Sequence, residues 1–182
     1  AEFDTFSSGR LEIGVNHPTA KLYAQTLQRE VWADPDVEID LSGIKNLVAV
    51  HRLREVSCLY GFTRFEAAPT GSDGDIEDIQ LSVRGAPISR EADWLPAIEQ
   101  FGEGIFIHFD EVAVELWLQE KATELRNKKL LAGYNHWQKR FSENAPAYPG
   151  TSYVLLHSIS HALIAEIALD CGYPASSLKE RV

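Results

Sequence analysis

Tyr153-Val-Leu-Leu-His157-Ser-Ile-Ser-His161-Ala-Leu-Ile-Ala-Glu166-Ile-Ala-Leu-Asp170-Cys171-Gly172-Tyr-Pro174 is the stretch on which the fold turns. At about 100° per residue its apolar side chains fall on almost every side of a helix, leaving Glu166 and Asp170 as a charged edge. A helix of that make-up, from Ser152 to Asp170, is expected inside a core. Gly172 suits the left-handed position that ends a helix, and Pro174 cannot continue one. Ser177-Leu-Lys-Glu180 then has the form of a capping box, which predicts a second helix opening where the sequence stops.

His157 and His161 are four apart and share a helix face with Ile164, Ala165 and Ala168. Neutral imidazoles at this spacing can chelate a metal or hold a catalytic water. A zinc peptidase would carry Glu directly after the first histidine, but Ser158 stands there, and no third ligand has a diagnostic spacing. The two histidines are therefore expected as hydrogen-bonded core residues, and no metal ligand is assigned.

Outward from this helix, the chain of 182 residues is 45% hydrophobic, enough for one domain or two small, closely packed ones. No uninterrupted run of eighteen apolar residues and no leader-like start is present, so the chain reads as a cytoplasmic protein without a membrane partner. Cys58 and Cys171 make neither a disulfide framework nor a zinc ribbon. The absence of any methionine suggests an excerpt, truncated at both ends. Net charge is -10, and all of the excess lies between Glu66 and Glu115, where twelve acids meet two bases. The remainder of the chain is balanced, so overall acidity says little about its other surfaces.

Taken in order, Ala20 to Trp32 has helical spacing, closed by Asp34-Pro35. Leu47-Val-Ala-Val50 is a short β run. Val56, Cys58, Tyr60 and Phe62 alternate as in a strand, with Gly61 at a bend or bulge. Among the charges there, Arg54 and Arg64 are candidate phosphate contacts, while Arg54 and Glu55 could equally form ion pairs on the sheet. Residues 66–92 read as an exposed acidic loop or hairpin insertion, with Ile79–Val83 as a strand candidate. No Walker or dinucleotide fingerprint occurs, so the chain is not expected to hydrolyse ATP.

Ile105, Ile107 and Phe109 alternate against Phe106 and His108 in a clear strand, after which Asp110 caps a helix. Glu99 and Glu103 read as solvated surface rather than a catalytic pair. The helical pattern runs from Glu111 to Phe141 with an expected break near Gly133. Leu130, Tyr134, Trp137 and Phe141 form its apolar stripe, and Lys128, Lys129, Lys139 and Arg140 face away. This basic face is the candidate DNA-binding surface.

Three blocks occur in a suggestive order: Arg52-Leu-Arg54-Glu55-Val56 with Gly61-Phe-Thr-Arg64, then Trp94-Leu-Pro-Ala-Ile-Glu99 with Gly102-Glu-Gly-Ile-Phe106, then Leu156-His157-Ser-Ile-Ser-His161-Ala-Leu163. Together they resemble the helicase-associated domain of the DrmB family in the bacterial DISARM anti-phage system. The resemblance implies a non-catalytic subunit whose partners are a superfamily-2 helicase and DNA. It also implies a cysteine-rich, zinc-binding segment after the His157/His161 helix in the complete protein, with no cofactor in the segment at hand. It supplies no catalytic residue.

The expected architecture is α+β, one domain or part of one, with a small, mostly antiparallel sheet packed against the buried Ser152–Asp170 helix. Two rivals to the accessory-subunit function are a metal-dependent hydrolase or nuclease using His157 and His161, and a pure protein–protein scaffold.

Overall fold

The computed structural model describes residues 2–33, 36, 40–59, 61–62, 86–88, 93–141 and 147–182, apart from the side chains of Arg140 and Phe141. In chain order the elements are α1 (Glu2–Phe6), β1 (Glu12–Gly14), β2 (Leu22–Thr26), α2 (Arg29–Trp32), β3 (Ile44–Cys58), β4 (Gly61–Phe62), β5 (Ala86–Pro87), β6 (Ala97–Phe109), α3 (Glu111–Gln119), α4 (Lys121–Phe141) and α5 (Thr151–Cys171), followed by a 3-10 turn at Ala175–Ser177. They fall into two compact units. One combines Ala1–Tyr60 with Ile88–Leu116, the other Gly61–Pro87 with Trp117–Val182. The α+β class holds.

The first unit is a four-stranded sheet in the order β1-β2-β3-β6, antiparallel throughout. Its backbone is the ribbon of β3 and β6, where the Val- and Ile-rich runs 47–50 and 105–109 pair. β-Branched and aromatic residues suit such a half-buried pleated surface. Between Val50 and Leu53 the ladder slips, so that His51 and Arg52 stand opposite Glu103 alone, and the β2 ladder shifts at the same place. This bulge has a packing consequence. Side chains alternate with period two, so Val48 and Val50 face one side, and the added residue returns Leu53 to that same side. Ile13, Ala24, Val48 and Val50 are buried there, with Leu22, Leu53 and Phe106 packed beside them. Helix α1 closes the face: the Phe6 ring lies 5.3 Å from that of Phe106, and Phe3 stands edge-on to His108 at 5.1 Å.

Two expectations for this unit are corrected. Ala20 to Trp32 is not a helix, because Leu22 and Ala24 point inward from β2 and pairing with β3 outweighs local propensity, leaving only the four residues of α2 helical. Gly14 makes the sharp exit from β1 with φ of +79°, and a β-carbon there would sit 2.1 Å from the Leu22 carbonyl oxygen. The bulge expected at Gly61 lies instead at His51–Arg52, while Gly61 opens β4, which pairs with β5. The Ile79–Val83 strand candidate and all of 66–92 except 86–88 lie outside the described residues, as does Arg64.

Asp110 behaves as the expected cap: its Oδ1 accepts from the Ala113 amide at 2.9 Å, at the start of α3. The long helical pattern breaks at Glu120 rather than at Gly133, which continues α4 without interruption.

In the second unit, the Thr151 hydroxyl at the start of α5 donates to Asn127 Oδ1 of α4 at 2.6 Å, and the Tyr134 and Tyr148 rings lie 5.5 Å apart. Gly172 ends α5 in the left-handed conformation with φ of +70°. The burial expected of this helix does not occur. Thr151 is its sole buried residue, and Leu163 and Leu169 are 37% and 78% exposed. By length and composition alone, α5 is apolar enough to cross a membrane. The second helix expected from Ser177 is also absent: Ser177 donates to the Pro174 carbonyl from both its amide and its hydroxyl, and Leu178 onward is extended or irregular.

Candidate functional site

Helix α4 carries the candidate bases, of which the Arg140 side chain lies outside the described residues. Thr123 is buried and Asn127, Leu130 and Tyr134 are half-buried, following one stripe at i, i+4, i+7 and i+11. Lys128, Lys129 and Lys139 are all exposed. Lys128 is engaged within the helix, donating to Glu124 Oε1 at 2.6 Å in an i, i+4 pair. That hydrogen bond and the adjacent ammonium charge hold the Glu124 carboxyl below its usual range. Trp137, on the apolar side, is 39% exposed.

Arg54 lies elsewhere, on β3, and its Nε donates to Glu99 Oε1 of β6 at 2.5 Å. A guanidinium already satisfied by a carboxylate on the adjacent strand is a poorer phosphate ligand than an exposed lysine. Arg52, also on β3, donates to the Pro18 carbonyl and lies 5.4 Å from the ring of Phe101, the residue opposite Arg54.

The second constellation is on α5. Tyr153, His157 and His161 rise along one face at four-residue intervals, the first two rings stacked at 5.8 Å and the two imidazoles edge-on at 4.5 Å. The tail after Gly172 folds back and brings in Glu180. Its Oε1 lies against His157 Nδ1 and 3.5 Å from His161 Nε2. The His157 contact is in ion-pair range but lacks hydrogen-bond alignment, so Nδ1 and the Glu180 Oε2 are buried without a hydrogen-bond partner. The side chains of His157 and His161 are 42% and 62% exposed, which overturns their expected place in the core. Among the described residues of the second unit, Glu180 from the stretch after Gly172 lies against this helix face.

Glu180 is the residue the sequence pattern concealed. Three positions after Ser177 it fits a capping box, and nineteen residues beyond His161 it has no helical phase with the imidazoles. Its role depends on the turn at Gly172 and Pro174. Cys58 and Cys171, by contrast, are both free and exposed, and two thiols do not make a four-cysteine zinc cluster.

Taken together, the chain is an α+β segment carrying an exposed basic helix and a histidine–carboxylate clasp. In sequence it is DrmB-like: it is 33% identical over 138 residues to the DISARM protein DrmB of Bacillus paralicheniformis (strain ATCC 9945a / NCIMB 11709 / CD-2). The match covers 75% of this chain and 24% of that protein, so the chain spans about a quarter of the length of its curated relative. No protein-family model matches the chain.

Proposed function

We propose that the chain is part of a cytoplasmic, non-catalytic accessory subunit of a DISARM-type anti-phage defence complex, acting with a superfamily-2 helicase on DNA. The similarity to DrmB carries this reading. Two surface features support it. Large apolar side chains lie open on both units, among them Trp94 at 75% and Ile98 at 64% on the first, and Leu169 at 78% on the second. Apolar exposure on this scale suits a component that works against other protein. The lysines of α4 supply positive charge where a phosphate backbone could be met, in a chain that is otherwise acidic.

The subunit contributes binding rather than bond cleavage. Ser158 occupies the place where a zinc peptidase has its general base, and its hydroxyl is turned back to the Val154 carbonyl at 2.6 Å. Affinity purification of the complete protein from cells carrying its defence system tests the proposal. A superfamily-2 helicase should copurify, deleting residues 1–182 should abolish phage resistance, and the protein alone should leave DNA intact with divalent metal. Metal-dependent cleavage lost in His157→Ala would overturn the non-catalytic reading in favour of a hydrolase.

A further inference from the structure

The clasp on α5 has the composition and geometry of a cation site. His157 and His161 present Nδ1 and Nε2 from one helix face, and Glu180 brings a carboxylate, with one ligand atom from each lying within 4.8 Å of the others. We propose that His157, His161 and Glu180 bind a single divalent transition-metal ion of the zinc type, which fastens the tail after Gly172 to α5. This proposal is independent of the accessory-subunit function.

Ligand bonds of about 2.0–2.1 Å at tetrahedral angles put donors about 3.3 Å apart. The Glu180 Oε1 to His161 Nε2 separation of 3.5 Å already meets that spacing. The carboxylate needs only a small swing away from His157 Nδ1 to admit an ion between the three. A metal-free alternative is a simple histidine–carboxylate hydrogen bond, but it accounts for less. It would engage one imidazole, whereas here the carboxylate faces two, and the His157 contact lacks hydrogen-bond alignment. A shared ion supplies a partner for His157 Nδ1 and draws on the buried carboxylate whose Oε2 is otherwise unmatched. Two imidazoles and one carboxylate favour zinc-like ions over magnesium or calcium, which prefer all-oxygen sets. A water would complete the fourth position, and because the ion joins α5 to the stretch after Gly172 its role is structural.

Cobalt(II) and zinc titrations of the complete metal-stripped protein, followed by calorimetry and by cobalt visible absorption, test the site. Wild type should take up one equivalent that His161→Gln and Glu180→Gln each weaken by at least about 100-fold, since even outer partners of a metal ligand contribute 10- to 100-fold. His161 is largely exposed, so its variant should keep the far-ultraviolet circular dichroism of the parent. Zinc should also slow amide exchange in residues 172–182 of wild type but not of Glu180→Gln. Metal uptake indifferent to both substitutions would overturn the proposal. So would a tail that loosens in Glu180→Gln while exchange in wild type ignores zinc, because the histidine–carboxylate contact alone would then hold it.

Discussion

His108 is 8% exposed on β6, set edge-on to Phe3 with Phe106 nearby, and its Nε2 has no hydrogen-bond partner. A buried nitrogen left unpaired costs about 1–3 kcal/mol relative to a satisfied or apolar group. His108→Phe keeps a ring of similar shape in an aromatic cluster, so urea denaturation should show a gain of about 1 kcal/mol. A loss of stability would mean that the imidazole is satisfied in solution. Residues whose work is local were the legible ones: Asp110 as a helix cap and Gly172 as a left-handed terminator follow from chemistry within a few positions. Residues whose work depends on distant chain were not. The exposure of His157 and His161, and the reach of Glu180 to them, are decided by what covers α5, which no periodicity records.

Among elements, the β3–β6 ribbon shows how one inserted residue sets a whole face. Deleting His51 would take the bulge out and leave Val50 and Leu53 two positions apart, so Leu53 would stay on the face holding Val48 and Val50 and both ladders would close up regularly. Only the exposed contacts of His51 with Gln25 and Tyr23 would be lost, so the deletion should cost no more than about 1 kcal/mol in urea denaturation. A loss of several kcal/mol would show that the bulge itself, and not the register it preserves, is needed to align the core. The strand at 105–109 was readable from alternation alone, since both of its faces repeat cleanly. Strand β2 was not, because its five residues are equally compatible with helical spacing and only pairing with β3 selects the extended form. Helix α5 was readable as a helix with its correct end, yet its all-round apolarity pointed to a burial that only Thr151 attains. An apolar helix announces that something should cover it, not which partner does.

At the scale of the molecule, the acidic excess and the basic helix compete. The net charge of -10 would repel DNA unless the acids between 66 and 115 are folded away or already used. Among the described residues, Glu99 pairs with Arg54 and Asp110 caps α3. That leaves the lysines of α4 as the face through which a DNA-associated subunit would act, since Lys129 and Lys139 are exposed and turned from the Leu130–Tyr134 stripe. The most direct measurement is equilibrium binding of the complete complex to single- and double-stranded DNA across a salt series, with Lys128, Lys129 and Lys139 reversed to Glu. Reversal should weaken binding to all sequences alike and flatten the slope of log affinity against log salt by about 0.7–0.9 per phosphate contact removed, while the helicase stays bound. Unchanged affinity and slope, with helicase association lost instead, would contradict the account and make the chain a protein–protein scaffold.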